Sequence, residues 1–181
     1  MSSYAAFLRG MNVGVHHRVT NDELRGMFSA MGFSEVKTFR ASGNVAFTAE
    51  PRPLAKMTLA IEDGLAQALG YAVPTFLRAA EEMREIAAMR PFAPEIVEAS
   101  KGKLQVSILA SEPTAQVRAE VLALSDERDR LAFGGRELYW LPSGGTLETA
   151  LDMAAIERTL GQTTRRTKGT IEQMAAKHFG G

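Results

Sequence analysis

Runs of apolar residues and their spacing divide the chain into two similar successions of elements. Tyr4 to Leu8 is a short unbroken apolar run, the pattern of a buried strand. Thr20-Asn21-Asp22-Glu23 is a capping box, with Thr20 as N-cap and a glutamate three residues on. Leu24, Met27, Phe28 and Met31 then recur at helical spacing and Gly32 closes the helix. Val36 to Phe39 and Val45 to Thr48 read as strands joined by a turn at Ala41-Ser42-Gly43. Pro53 opens a helix with the stripe Leu54, Met57, Ile61, Leu65 and Leu69, ended by Gly70. Val73 to Leu77 is a fourth strand, followed by a helix from about Ala79 to Met89 that stops before Pro91.

After a stretch with two prolines and no period, the succession recurs. Leu104 to Leu109 is a strand, and Ser111 and Pro113 introduce a helix carrying Val117, Val121 and Leu124. Arg130 to Phe133 and Glu137 to Leu141 flank Gly134-Gly135, a two-residue hairpin signal. Leu147 to Leu160 reads as one helix ended by Gly161, and Thr163 to Arg166 as a last strand. Thr170 with Gln173 caps a final helix through Phe179. The order β-α-β-β-α-β appears twice, which predicts an α+β chain of two ferredoxin-like lobes, with antiparallel sheets and helices on one face. The expected division is residues 1–90, a connecting segment 91–102, and residues 103–181.

Composition narrows the function classes. The chain has 181 residues, is 45% hydrophobic and carries 21 basic against 21 acidic residues. No global basic footprint for nucleic acid follows from that balance. With no cysteine, disulfides, thiolate nucleophiles and cysteine-bound metals are excluded. No apolar run is long enough for a membrane span, and the N-terminal run is short, interrupted by Arg9 and without a basic segment ahead of it. A cytoplasmic protein that makes no membrane contact is the expectation. No cofactor or metal is expected: His16-His17 lacks ligand spacing, and His178 stands alone on a helix. No general base or nucleophile stands out, and Ser42 has no G-x-S-x-G context. The sequence thus assigns no reaction and no oligomeric state.

Two glycine-marked strand ends carry the candidate chemistry. Arg9-Gly10-Met11-Asn12-Val13-Gly14 follows the first strand, and Ser42-Gly43-Asn44 opens the third. In a ferredoxin-like sheet these two strands are adjacent and antiparallel, so the motifs meet at one end. Arginine binds phosphate or carboxylate in a fork, and glycine lets backbone N–H groups approach an anion. We therefore expect an anionic small molecule held by Arg9 and oriented by Asn12, Ser42 and Asn44, with Gly10, Gly14 and Gly43 permitting close approach. The competing account is structural: the glycines only set positive φ, and Arg9 pairs internally. A second candidate is the basic stretch Arg165, Arg166 and Lys168 ahead of the last helix, able to take an anion or nucleic acid, or to be a solvated loop. The first and third strands carry Tyr4, Phe7 and Phe47 but not the paired aromatics of an RNA-recognition module. Trp140 is placed on a strand at the lobe boundary, half buried or more.

Leu8-Arg9-Gly10-Met11-Asn12-Val13-Gly14, Leu24 with Gly32-Phe33, and Ser42-Gly43-Asn44-Val45 with Phe47 resemble the family of domain of unknown function 1697. That family shows R-G-[IM]-N-V-G and S-G-N-V-x-F at this separation. The resemblance implies two ferredoxin-like lobes and no activity. Relatives usually end in a T-x-R-N-W-x-T-like segment. Here Thr163-Thr164-Arg165-Arg166-Thr167-Lys168-Gly169-Thr170 lacks the asparagine and tryptophan.

Overall fold

The computed structural model describes residues 1–12, 18–40 and 43–180. Val13 to His17 and Ala41-Ser42 lie outside them, so the expectations for Gly14, His16, His17 and Ser42 do too. Two compact units form: Met1–Arg84 with Met174–Gly181, and Glu85–Gln173.

The first unit holds β1 (Ser2–Leu8), α1 (Asn21–Ala30), β2 (Ser34–Thr38), β3 (Asn44–Ala49), α2 (Leu54–Leu69) and β4 (Thr75–Ala79). Its sheet has the order β2-β3-β1-β4, the ferredoxin-like arrangement, with every pairing antiparallel. The α1 capping box forms as read: Thr20 Oγ1 accepts the Glu23 N–H at 3.1 Å, and the Thr20 N–H is held by Glu23 Oε2 at 2.8 Å. Gly70 ends α2 at φ 81°. The α2 stripe Met57, Ile61 and Leu65 is fully buried against Tyr4, Ala6, Leu8, Val45 and Phe47, together with Leu24 and Phe28 of α1. The alternate sheet positions Ala5, Phe7, Ala46 and Phe76 are buried as well, and so is Arg78. Burial on both faces is why β1 reads as a continuous apolar run rather than an alternating one.

The chain continues through α3 (Ala80–Ala88) and α4 (Pro94–Ala99). The helix α4 was not legible in the connecting segment, where Pro94 takes the first helical position that proline tolerates. The second sheet is built from β5 (Gln105–Leu109), β6 (Asp129–Gly134), β7 (Glu137–Pro142) and β8 (Thr163–Thr167), with α5 (Ala115–Leu122) and α6 (Met153–Leu160) between strands. Its order β6-β7-β5-β8 repeats the first. The protein is therefore an α+β chain of two ferredoxin-like lobes. The helix α7 (Lys168–His178) follows.

Local chemistry shifts several boundaries. The β6–β7 turn is Gly135-Arg136, not Gly134-Gly135, because Gly134 pairs with Glu137 inside the ladder. Gly135, at φ 56°, fills the first turn position. The expected helix from Leu147 is broken into a 3-10 turn at Thr146–Glu148 and α6, because the Asp152 carboxylate accepts the Ala155 N–H at 3.0 Å and starts a new helix. The start of α7 is capped by Thr167, whose Oγ1 accepts the Thr170 N–H, so Thr170 lies inside the helix. Trp140 is 1% exposed and sits in the second lobe's own core with Leu109, Val121, Leu131, Leu138 and Ile156. Its Nε1–H donates to Asp129 at 2.8 Å, which satisfies the buried indole.

Candidate functional site

The two glycine motifs meet at one end of the first sheet. Phe7 pairs with Asn44, and the Leu8 N–H donates to the Gly43 carbonyl at 2.9 Å. The Arg9 N–H donates to Pro74 O at 3.0 Å, which fixes the Arg9 backbone between the neighbouring strands. The Arg9 side chain is half buried. Gly10 is exposed at φ 74°, with open space where a Cβ would stand.

The asparagines hold backbone. Asn12, at φ 61°, accepts the Val19 N–H at 2.6 Å and donates to the Val19 carbonyl at 3.1 Å, tying position 12 to position 19. Asn44 is 1% exposed; its Nδ2 donates to Phe39 O, and its carbonyl accepts the Phe39 N–H, each at 2.9 Å. It thus closes the β2–β3 connection with both its side chain and its main chain. Gly10, Asn12, Arg40 and Gly43 are all left-handed, with φ of 74°, 61°, 58° and 74°, and all lie around this one sheet end.

Tertiary contacts bring further residues there. Arg40 stands 5.6 Å from the Phe39 ring centroid, and Lys177 Nζ stands 6.0 Å from it. The His178 ring meets Phe39 edge-on at 6.1 Å. Burial, then the charges of Lys177 and Lys37, hold His178 below its ordinary value. Its Nε2 is buried without a hydrogen-bond partner among the described residues. Glu62 reaches the same end from α2, and its Oε2 accepts the Thr75 N–H at 3.3 Å. Burial raises its carboxyl above the usual range, against the lowering effect of that bond. Sequence spacing shows neither Glu62 nor the Lys177-His178 pair, since both arrive by tertiary folding.

Two of the three cations of the C-terminal basic stretch, Lys168 and Arg166, have internal partners. Lys168 is 3% exposed and its Nζ donates to Ala87 O at 2.9 Å and Glu172 Oε1 at 2.8 Å. Arg166 donates to Thr164 Oγ1 and to Arg165 O, and burial pulls its guanidinium down to about 10, still charged at neutral pH. Arg165 remains exposed, with its guanidinium 5.1 Å from the Trp140 ring centroid. Among the described residues no group of three or more histidine, aspartate or glutamate side chains is arranged to hold a metal. No helix among them is long and apolar enough to cross a membrane.

A family model described as a protein of unknown function, DUF1697, matches residues 1–139. The chain belongs to the DUF1697 family. The matched span includes both glycine motifs and ends ahead of residues 163–170. Among solved structures, the DUF1697 chain is similar to the conserved bacterial protein SP0830 from Streptococcus pneumoniae, at 21% identity with a TM-score of 0.72 over 97% of each chain. That likeness concerns the fold. No curated protein matches the chain.

Proposed function

We propose that the β1/β3 end of the first lobe binds a small anion bearing phosphate or carboxylate. Arg9 supplies the charge and the Gly10 backbone the close approach. Asn12 and Asn44 act as positioning residues, because their amides are already engaged with backbone. The observation that carries this reading is the gathering of four left-handed residues at one sheet end, two of them not glycine. Residues in such conformations cost free energy and concentrate at ligand sites. Local charge supports the choice of an anion: burial is the main cause that holds His178 low, and the charges of Lys177 and Lys37 add to it. A positive potential that opposes protonation of histidine favours an incoming anion for the same reason.

The test is thermal unfolding at constant ionic strength with inorganic phosphate, pyrophosphate and citrate. A ligand of the native state raises the midpoint by mass action. We expect a saturable rise with at least one of these, reduced in Arg9→Ala. No rise with any anion, or an equal rise in Arg9→Ala, overturns the reading. Retention on immobilised RNA that weakens steeply with salt would instead support a nucleic-acid ligand.

A further inference from the structure

The second lobe holds two adjoining clefts of about 530 Å³ and 310 Å³, lined in common by Lys101, Arg128 and Ser143. Volumes of this order suit small-molecule sites. Three chain segments frame the clefts and are tied to one another. Ser100 Oγ donates to Pro142 O at 2.6 Å and accepts the Gly102 N–H at 3.1 Å. The Ser143 N–H donates to Arg128 O at 2.8 Å. Gly102 lies so close to the turn after β7 that a Cβ there would come within 2.2 Å of Pro142 O and 2.6 Å of Gly144 O. Walls fastened in this way are preorganised for a ligand.

The clefts are lined by three cations, Lys101, Arg128 and Arg130, and four carboxylates, Glu95, Glu127, Asp129 and Glu148; hydrogen bonds from neutral donors orient a carboxylate without cancelling its charge. Asp129 accepts from Trp140 Nε1 and Thr149 Oγ1, at 2.8 Å each. Glu148 takes the Gly145 N–H at 3.3 Å. Asp126, beside them, takes the Arg128 and Asp129 N–H groups. Lys101, Arg128 and Arg130 make no ion pair within 4.0 Å among the described residues, and neither do Glu95 and Glu127 on the larger cleft, although the charge of Arg128 also acts on the Asp126 carboxyl. Lys101 and Arg128 stand where the clefts join, next to the Ser143-Gly144-Gly145 turn. Cations at the junction and free carboxylates along one arm suit a ligand with an anionic head and a hydroxyl-bearing body. Ile96 and Leu141 add apolar surface to that arm.

We propose that this double cleft is a site for a phosphorylated polyol of the sugar-phosphate class. Its phosphate lies against Lys101, Arg128 and the Ser143–Gly145 turn, and its hydroxyls donate to Glu95 and Glu127. The site is independent of the anion site in the first lobe.

The probe is glucose 6-phosphate, followed through the backbone amides of Gly102, Gly144 and Gly145 by NMR, with glucose and inorganic phosphate as comparisons. We expect saturable shifts at these amides, tighter with glucose 6-phosphate than with either comparison. Lys101→Ala combined with Arg128→Ala should weaken binding by about tenfold or more, since each removes a charge-assisted bond. Both residues are exposed, and the wild-type spectrum elsewhere checks the fold; Lys101→Gln with Arg128→Gln serves if it is disturbed. Arg9→Ala should leave these shifts intact, which separates this site from the first. Absence of shifts at the three amides, or equal binding by the double variant, overturns the site. Equal binding of inorganic phosphate overturns the sugar-phosphate class.

Discussion

Gly43 lies directly against Leu8: a Cβ on Gly43 would stand 3.0 Å from Leu8 Cβ and 3.3 Å from Leu8 O. The contact joins the two motifs, because the same Gly43 carbonyl accepts the Leu8 N–H. Gly43 is therefore required twice, for its left-handed φ of 74° and for its lack of a side chain. Gly10 has the same φ but open space around it. Gly43→Ala should then cost about 2–3 kcal/mol and Gly10→Ala about 1 kcal/mol. Denaturant unfolding of the two variants checks this, and equal losses would show that the approach to Leu8 is unimportant.

Asn12 offers a second comparison. Its amide makes two bonds to the Val19 backbone, and its φ is positive. Asn12→Gly keeps the conformation and removes the clasp; Asn12→Ala removes both. We expect losses of about 1 kcal/mol for glycine and about 2 kcal/mol for alanine. In both, the amides of Thr20 and Asn21 should exchange with solvent faster, because the clasp delivers the chain to the α1 cap. Unchanged exchange would mean that the capping box holds this end alone.

These two residues also mark what sequence reasoning reaches. The meeting of the motifs was legible, because the element order fixes the neighbour of β1 and the end at which β3 begins. The role of each asparagine was not. An amide serves a ligand or a backbone carbonyl equally well, and only the positions of Val19 and Phe39 decide between them. For a similar reason, the basic run at 165–168 looked available in sequence. Lys168 has Ala87 O and Glu172 as partners, and the first of these is distant in the chain. Some helix and cap signals were local and survived, as with Thr20 and Gly70, whereas the helix expected from Leu147 restarts at Asp152 and the cap expected at Thr170 is supplied by Thr167. The Gly134-Gly135 turn slipped by one residue because two adjacent glycines permit either register.

Trp140 is the chain's single tryptophan, so its fluorescence reports on the second lobe. Its indole donates to Asp129, which is 5% exposed and also bonded by Thr149. Trp140→Phe leaves that buried carboxylate one donor short and should cost about 2–3 kcal/mol. Asp129→Ala removes the acceptor and leaves both donors unpaired, at a similar cost. In wild type the emission should be blue-shifted, moving to the red as the second lobe unfolds. A red-shifted native emission would contradict the burial of the indole.

Gly102→Ala tests the frame of the second-lobe clefts. The added methyl would run into the carbonyls of Pro142 and Gly144, which belong to backbone and cannot turn aside as a side chain would. The turn after β7 has to move, at a cost of about 1–3 kcal/mol. Amide shifts should concentrate at residues 142–145 and leave the first lobe's spectrum alone. A stable variant with an unmoved turn would show that Gly102 is not what sets this wall.

The pH dependence of stability follows from His178. Burial, then Lys177 and Lys37, lowers its folded-state value below the ordinary 6.5. The unfolded chain therefore binds a proton at a higher pH than the native one. Between those two values the unfolded state carries more protons, so stability falls as the pH falls. Above about 6.5 His178 is neutral in both states and contributes no slope. Below the folded value it is charged in both, and the loss is complete. Its partnerless Nε2 adds no bond that would reward protonation. His178→Gln should flatten this part of the stability profile while leaving the carboxylate-driven loss at lower pH. Lys37→Ala, which removes a neighbouring charge, should move the His178 midpoint upward when followed by NMR. A midpoint at or above 6.5 in the wild type, or one unmoved by Lys37→Ala, would break the link between His178 and the positive field at this sheet end.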